Sequence, residues 1–483
     1  MDEELDLAAI KSRSVKGIVT LTGGGLIATG ISILGTLIIT AILGPAEFGI
    51  YGLVLSVVVI LNYFSDIGLA ASLIQKKDKI TTADLRTTFT IQESLVLLIL
   101  TLTLVLSNYI SSYYNFSQTQ LQLFYALLIS FFLSSLKSIP SVILERELRF
   151  DKIILVRIFE TLVFNLTAVA MALNNFGALS FGIALILQNL TGIILYYFFK
   201  PWPIGLQISK ENLKHLLKFG VPFQLNSLIA VAKDQFVNLF LFKIVGASGM
   251  GLFSWGFNYS QMPQRLIMDN ATKVAFPALS RMQDNSEQLK KSIEKLLQFV
   301  CLLIFPMLIG ISLAWSHLVF LVDRWQQWQG GLLPLYLLCF SAAMSCLSTP
   351  LTNTLYALGK PKIVSYLMLM WLVLEWLLKP YFATQYGFLG IAIAAAIISF
   401  SSLVPFFLTQ KLTQFNISTS LKVPVFSSLF MLILGVISHS LGIYINLFLA
   451  GTGYLLSLYF IGNKKLLADI KPFYDQIFHN TSR

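Results

Sequence analysis

The sequence predicts an all-α membrane protein that crosses the bilayer about fourteen times, built as two similar six-helix halves followed by one further helix pair. Three observations carry this expectation. The 483 residues are 56% hydrophobic and 12% charged, with a mean hydropathy of +0.76, which is more apolar side chain than a soluble fold of this size can bury. Apolar runs of about 20 residues, each long enough to cross the hydrocarbon core, recur from residue 18 to residue 461. Third, one glycine-bearing stretch occurs twice, as TAILGPAEFGIYGL at 40–53 and as KIVGASGMGLFSWGFNY at 243–259. Gly44 and Gly49 precede Ile50 and Tyr51 as Gly246 and Gly251 precede Leu252 and Phe253. Each copy lies between two long apolar runs and reads as a tight helical hairpin with glycine at its tip. The copies are roughly two hundred residues apart, the length of six spans with their loops. Transporters made of two such halves keep their substrate where the halves meet.

Taken in order, the spans fall near 18–43, 48–70, 88–111, 121–144, 153–173 and 178–199 in the first half. The second half reads as 221–242, 250–267, 296–314, 332–355, 363–382 and 389–408, and the final pair as 423–438 and 443–461. This divides the chain into a first lobe at 1–205, a second at 206–412 and an added helix pair with a tail at 413–483. Residues 1–16 mix Asp2, Glu3, Glu4 and Asp6 with Lys11, Arg13 and Lys16, and the apolar run after them is too long for a signal peptide, so they read as a short cytosolic tail. Ten-residue alternating segments, the mark of a β-barrel, are absent.

The loops alternate in charge. One set carries Lys76, Lys77, Lys79 and Arg86, then Arg146, Arg149 and Lys152, then Lys200, Lys210, Lys214 and Lys218. It continues with Arg265, Lys273, Arg281, Lys290, Lys291 and Lys295, with Lys360, Lys362, Lys411 and Lys422, and with Lys464, Lys465 and Lys471. The other set is nearly bare, with Arg324 as its one clear basic residue. The positive-inside rule therefore puts both termini and every basic loop in the cytoplasm. The net charge of +11 is an orientation signal and not a nucleic-acid footprint, since no basic face is interleaved with exposed aromatics. Residues 209–219 and 285–297 read as amphipathic helices lying in the headgroup region. Trp315, Trp325 and Trp328 sit in the longest outer loop and read as an interfacial aromatic belt. No outer loop is long enough for a catalytic domain. Cys301, Cys339 and Cys346 all fall in apolar runs, which argues against a disulfide framework, and the scattered histidines have no metal-ligand spacing. Gly23-Gly24-Gly25 lacks the strand and Lys-Ser/Thr of a phosphate loop and reads as close helix packing.

Charges inside spans are the informative residues, because each costs about 2.5–3.5 kcal/mol on insertion scales unless paired or wetted. Glu375 and Lys379 stand i,i+4 with the acid first, the favourable order for an intrahelical pair. Arg157 and Glu160, at i,i+3, either pair with each other or serve a ligand. Asp66 and Glu93 lie near the cytosolic ends of their spans, within reach of headgroups. Lys137, Lys233 and Asp234 resist such readings. Adjacent residues on an α-helix point about 100° apart, so Lys233 and Asp234 neutralise each other poorly. With Gln224, Asn226, Gln235 and Asn238 they form a polar stripe on an apolar helix, as expected of a wet cavity. The cavity candidates are therefore Lys137, Arg157, Lys233, Asp234, Gln224, Asn226 and Asn238. Seven prolines, including Pro140, Pro306 and Pro350, fall in or beside spans, where each frees a carbonyl and permits a kink.

Several stretches resemble one family. FSDIGLAASLIQ at 64–75 with Lys76-Lys77-Asp78, the hairpin GPAEFGIY at 44–51, FGVP at 219–222, Asp234, the hairpin at 246–253 and VAFPALSRM at 274–282 occur in the order seen in Wzx/PST-type polysaccharide-repeat flippases. These belong to the multidrug/oligosaccharidyl-lipid/polysaccharide exporter superfamily. The resemblance covers most of residues 15–410. It implies a MATE-like V-shaped pair of six-helix lobes around a central cavity, and 423–461 corresponds to the two extra helices of longer members. It also implies transport of a lipid-linked oligosaccharide, usually on undecaprenyl diphosphate, from the inner to the outer leaflet of a bacterial or archaeal cytoplasmic membrane. Membrane lipids, a polysaccharide polymerase and chain-length machinery are the implied partners. A diphosphate needs buried cations, and Lys137, Arg157 and Lys233 are the ones on offer. No cofactor is called for. Coupling to a proton or sodium gradient stays open, with Asp234 and Glu160 as candidate carriers, because few acidic residues lie deep in the first lobe. The alternatives are a drug/cation antiporter, which should favour acidic cavity residues, a lipid II flippase of the same fold, and a polymerase or ligase, which needs a sizeable outer loop.

The charge asymmetry makes a direct prediction. Single cysteines introduced as Asp78→Cys and Leu148→Cys should react with a membrane-impermeant maleimide only after cell lysis. Labelling of either in intact cells would invert the orientation.

Overall fold

A computed structural model describes residues 7–66, 69–75, 80–209, 231–283 and 285–461. The chain forms two compact units, Met1–Gly251 and Leu252–Arg483. The first holds α1 (Leu7–Ile42), α2 (Pro45–Asp66), α3 (Leu69–Gln75), α4 (Thr82–Val105), α5 (Ser107–Tyr114), α6 (Gln118–Leu136), α7 (Ser138–Arg146), α8 (Phe150–Leu173) and α9 (Leu179–Phe199). A π turn, Ala232–Phe236, leads into α10 (Val237–Arg281), which runs on into the second unit. There follow α11 (Ser286–Leu321), α12 (Leu332–Ala357), α13 (Pro361–Ser399), α14 (Leu403–Thr413), α15 (Ile417–Ile437) and α16 (Ile443–Ile461).

Among the described residues, twelve helical stretches are long and apolar enough to span a membrane. Two of them bend back at one residue. Gly246 (φ 71°, ψ −179°) interrupts α10, and Gly387 (φ 60°, ψ −142°) interrupts α13. Both dihedrals lie in the left-handed half of backbone space that side chains disfavour. The twelve stretches therefore make the fourteen passes read from the sequence, and the expected outer loops near 246 and 387 shrink to these breaks. Local chemistry sets the other ends. Thr81 and Asp84 form a reciprocal capping box on α4, Ser117 and Gln120 form one on α6, and Asn285 caps α11. The tip between α1 and α2 closes with the Gly44 N–H donating to Glu47 Oε2 at 3.0 Å.

In the first unit α1 packs on α8, α8 on α9, α6 on α9, and α2 on α4 and α6. Val54, Leu123, Phe124, Leu127 and Phe131 form one core, and Leu69, Leu73, Phe89, Ile139 and Trp202 another. The two repeated hairpins touch by backbone. A Cβ at Gly49 would overlap the Ala247 carbonyl oxygen, and one at Gly251 would overlap that of Pro45.

In the second unit α11 packs on α12 and α15, α12 on α13, and α15 on α16. Three expectations need correction, two of them in this unit and one, Glu93, in the first. Trp315 and Trp328 are buried and form no belt; with Trp255, Trp325 and Tyr259 they make an inward cluster, Trp255 stacking on Trp328 at 5.5 Å and meeting Trp315 edge-on at 4.8 Å. The 3₁₀ turn Asp323–Gly331 folds the loop back onto α10, and Gly331 leaves room for the Trp255 ring. Residues 286–297 are not a separate surface helix but the first turns of α11, with Leu289, Ile293 and Leu297 buried. Glu93 does not reach the headgroup region; it is 7% exposed in α4 and accepts from Ser135 Oγ at 3.0 Å. The expected helix at 209–219 lies outside the described residues but for Ser209.

Proline places two of the tertiary contacts. Pro140 lacks the N–H that would bond the Leu136 carbonyl, and Pro306 leaves the Leu302 carbonyl in the same state. Tyr197 of α9 donates its hydroxyl to Leu136 O at 3.0 Å, and Tyr454 of α16 donates to Leu302 O at 2.6 Å. The second bond ties the C-terminal helix pair to α11. Tyr454→Phe should cost about 1–3 kcal/mol by stranding a buried acceptor. In a Pro306→Ala background, where residue 306 regains its N–H, the same change should cost much less. Equal losses of melting temperature in both backgrounds would mean that the tyrosine does not serve that carbonyl.

Candidate functional site

The kink at Pro140 sets the geometry of the charged site in the first unit. Lys137 is at once the C-cap of α6 and the N-cap of α7, with φ −90° and ψ −3°. The bend turns its side chain toward α8, where the ammonium donates to Glu160 Oε1. Lys137 is 18% exposed and Glu160 12%. Gly192 of α9 makes the space: a Cβ there would collide with the Glu160 carboxylate, 2.9 Å from Cδ, and lie 3.2 Å from Lys137 Cδ. Three helices thus build one partly buried ion pair. Tyr197 secures the bend, and Trp202 Nε1 donates to the same hydroxyl at 3.4 Å.

The expectation for Arg157 and Glu160 is corrected in the same place. Glu160 faces Lys137 rather than its helical neighbour. Arg157 is exposed one turn away and has no ion pair among the described residues. Lys137, expected to stand alone, has the carboxylate as partner.

Lys233 and Asp234 also depart from expectation. They pair directly, because Ala232–Phe236 is a π turn and not α-helix. Its i→i+5 bonding puts more residues in a turn and narrows the angle between neighbours. The turn lies against α2, with the Asp234 side chain half exposed and Lys233 less so. Gln235 within the turn and Asn238 just beyond it are half-buried, while Gln224 and Asn226 lie outside the described residues. In the second unit Glu375 and Lys379 pair within α13 at 2.9 Å as their spacing foretold.

Other polar groups near Lys137 are met by side chains of neighbouring helices. Asn189 donates to Ser130 Oγ at 2.8 Å, and Ser134 donates to Asn62 Oδ1 at 3.2 Å. Glu93 keeps one oxygen without a partner among the described residues. The sequence reading passed over Gly192, Tyr197 and Ser135. Two signals pointed to them: the buried small and polar positions Asn189, Gly192 and Tyr196 recur at helical spacing along α9, and Pro140 stands four residues after a carbonyl that needs another donor.

The arrangement is a helical scaffold that holds the Lys137–Glu160 ion pair, with the exposed Arg157 one turn away, in a membrane-spanning unit. The solved structures it resembles are transporters. The chain superposes on the lipid II flippase MurJ in its inward closed conformation with a TM-score of 0.67 at 13% identity, over 92% of this chain and 98% of that one. On an inward-facing multidrug resistance MATE family transporter of the MOP superfamily the TM-score is 0.61 at 14% identity, over 81% and 94%. The protein is therefore a multi-pass membrane protein of the MATE-like fold.

Its sequence narrows the class further. A family model described as "Polysaccharide biosynthesis protein" matches residues 38–329, and the chain belongs to that family. It is 26% identical over 491 residues to an uncharacterized membrane protein in the cps region of Klebsiella pneumoniae, covering 98% of this chain and 99% of the relative. It is 24% identical over 447 residues to the lipopolysaccharide biosynthesis protein WzxC of Escherichia coli (strain K12), covering 90% and 89%. A teichuronic acid biosynthesis protein, TuaB of Bacillus subtilis (strain 168), is 24% identical over 305 residues, 62% of each chain.

Two substitutions test the site's construction. Glu160→Gln leaves Lys137 mostly buried without a counter-charge and should cost about 3 kcal/mol, the lower end for a buried pair broken on one side. Gly192→Ala deletes no charge but forces the carboxylate aside, and should lower the melting temperature of the purified protein in the same direction. Wild-type melting of both variants would show that the pair is not held as described.

Proposed function

We propose that the chain translocates a lipid-linked oligosaccharide, a repeat unit carried on undecaprenyl diphosphate, across the cytoplasmic membrane by alternating access, and so supplies cell-surface polysaccharide synthesis. The observation that carries this reading is the Lys137–Glu160 pair beside the exposed Arg157. An ammonium held by one carboxylate can exchange that partner for a phosphate oxygen, and a free guanidinium can grip a second one bidentately. The charges left behind are the acids. Glu160, released when the diphosphate takes Lys137, and Asp234 beside Lys233 are the groups through which a proton or sodium gradient would return the carrier. Family membership and the printed function of WzxC favour a polysaccharide precursor over a drug. Both termini are cytoplasmic in this proposal, and a polymerase with its chain-length machinery receives the product at the outer face.

The test uses a host whose polysaccharide export depends on this gene. Lys137→Gln with Glu160→Gln keeps the local charge balance, so the double variant should reach the membrane folded. It should lower export by about tenfold or more, the loss of ~1.4 kcal/mol of headgroup interaction. Lys233→Gln should likewise reduce export with little loss of melting temperature. Normal export by the double variant would remove Lys137 from the substrate path. Rescue of peptidoglycan precursor export by the wild type would assign the chain to lipid II instead.

A further inference from the structure

Lys243 has no part in the site above and breaks the charge pattern. It lies three residues before the Gly246 break, at the end of the first unit whose loops are otherwise nearly bare of basic residues. A cation kept on that side works against the orientation signal and calls for a local reason.

Its surroundings are built. Lys243 donates to the Tyr113 carbonyl oxygen, and its Nζ lies 4.5 Å from the centroid of the Tyr113 ring. Tyr113 belongs to α5, a short helix set off from α4 by a bend at Leu106 and ended by Asn115 in the left-handed conformation. Tyr114 fixes α5 from below, its ring edge-on to Phe242 at 6.1 Å and its hydroxyl 3.5 Å from Leu239 O. The exposed face changes character at the bend. Along α4 it shows Leu97, Leu98, Leu102 and Val105, with Thr101 among them bonding its hydroxyl back to Leu97 O; along α5 it shows Asn108, Tyr109, Ser112 and Tyr113. Tyr109 is 71% exposed and Tyr113 48%, and their rings are nearly parallel, 19° apart with centroids at 6.4 Å.

A strip facing lipid tails needs no amide and hydroxyl between its rings. A strip facing a sugar does: the C–H face of a pyranose lies on an electron-rich ring, while its hydroxyls bond short polar side chains. The cation adds selectivity. An ammonium has three donors, of which the Tyr113 carbonyl takes one, and the exposed remainder can meet an anion. We infer that Tyr109, Tyr113 and Lys243 form a glycan subsite at the outward end of the first unit, selective for an acidic pyranose whose ring rests on the tyrosines and whose carboxylate meets Lys243. This rests on the proposed oligosaccharide substrate and places part of its sugar moiety where the unit leaves the membrane.

The experiment uses the full chain in nanodiscs, with methyl β-D-glucuronide and methyl β-D-glucoside as probes in saturation-transfer difference NMR. The glucuronide should give signal concentrated on ring protons, about fivefold or more above the glucoside. Tyr109→Leu, whose side chain is largely free of packing, should remove most of it at an unchanged melting temperature. Lys243→Gln should equalise the two sugars. No transfer in the wild type, or full transfer in Tyr109→Leu, would overturn the subsite. So would loss of the glucuronide signal when phosphatidylglycerol replaces phosphatidylcholine in the nanodisc, since Lys243 would then be a headgroup anchor. Failure here with export still dependent on the gene would leave the flippase reading standing; loss of that dependence would remove the reading itself.

Discussion

Inside hydrocarbon no polar group can turn to water, so each must find a partner within the protein at a cost of several kcal/mol if it fails. That requirement organises this chain. Pro140 and Pro306 each strand a carbonyl, and in both cases a tyrosine from a neighbouring helix supplies the donor. The first of these bonds holds the bend that aims Lys137; the second fastens the C-terminal helix pair. The same rule governs charge. Lys137 finds Glu160 across a helix interface, Lys233 finds Asp234 through a π turn, and Lys379 finds Glu375 along one helix. The Lys137–Glu160 pair packs tightly against Gly192 with the exposed Arg157 one turn away, whereas the Glu375–Lys379 pair is closed within α13.

How much could be read in advance depended on the range of the interaction. Span positions and hairpin tips were legible because hydropathy and glycine act locally; Gly246 and Gly387 turn the chain where the apolar runs break. The Glu375–Lys379 pair was legible because helical geometry alone fixes i,i+4 neighbours. The Lys137–Glu160 pair joins residues 23 apart on different helices, and nothing local states how those helices are rotated. Likewise the outer-loop tryptophans looked interfacial by position, and only the fold-back of Asp323–Gly331 onto α10 makes them core. The π turn escaped because a single extra residue per turn leaves no mark on an apolar pattern. Residues Gln224 and Asn226 lie outside the described residues.

The duplicated glycines serve a purpose beyond turning the chain. Gly49 and Gly251 hold equivalent places in the two copies, and each meets a backbone carbonyl of the other hairpin, Ala247 and Pro45 respectively. The contact is reciprocal, each glycine letting the main chain of the other hairpin come close. Such contacts rely on main chain and tolerate sequence drift everywhere except at the glycines themselves.

The tryptophan cluster has a consequence for optical work. Of the seven tryptophans in the chain, only Trp202 belongs to Met1–Gly251. Trp255 and Trp328 are stacked with an 18° tilt and Trp315 closes on them edge-on, so their transitions couple. Indole emission of the intact protein is thus dominated by one unit. Replacing Trp202 by phenylalanine would leave the other unit without an indole, and keeping it as the sole indole would yield a reporter beside Tyr197 and Phe89, at the foot of the bend that carries Lys137.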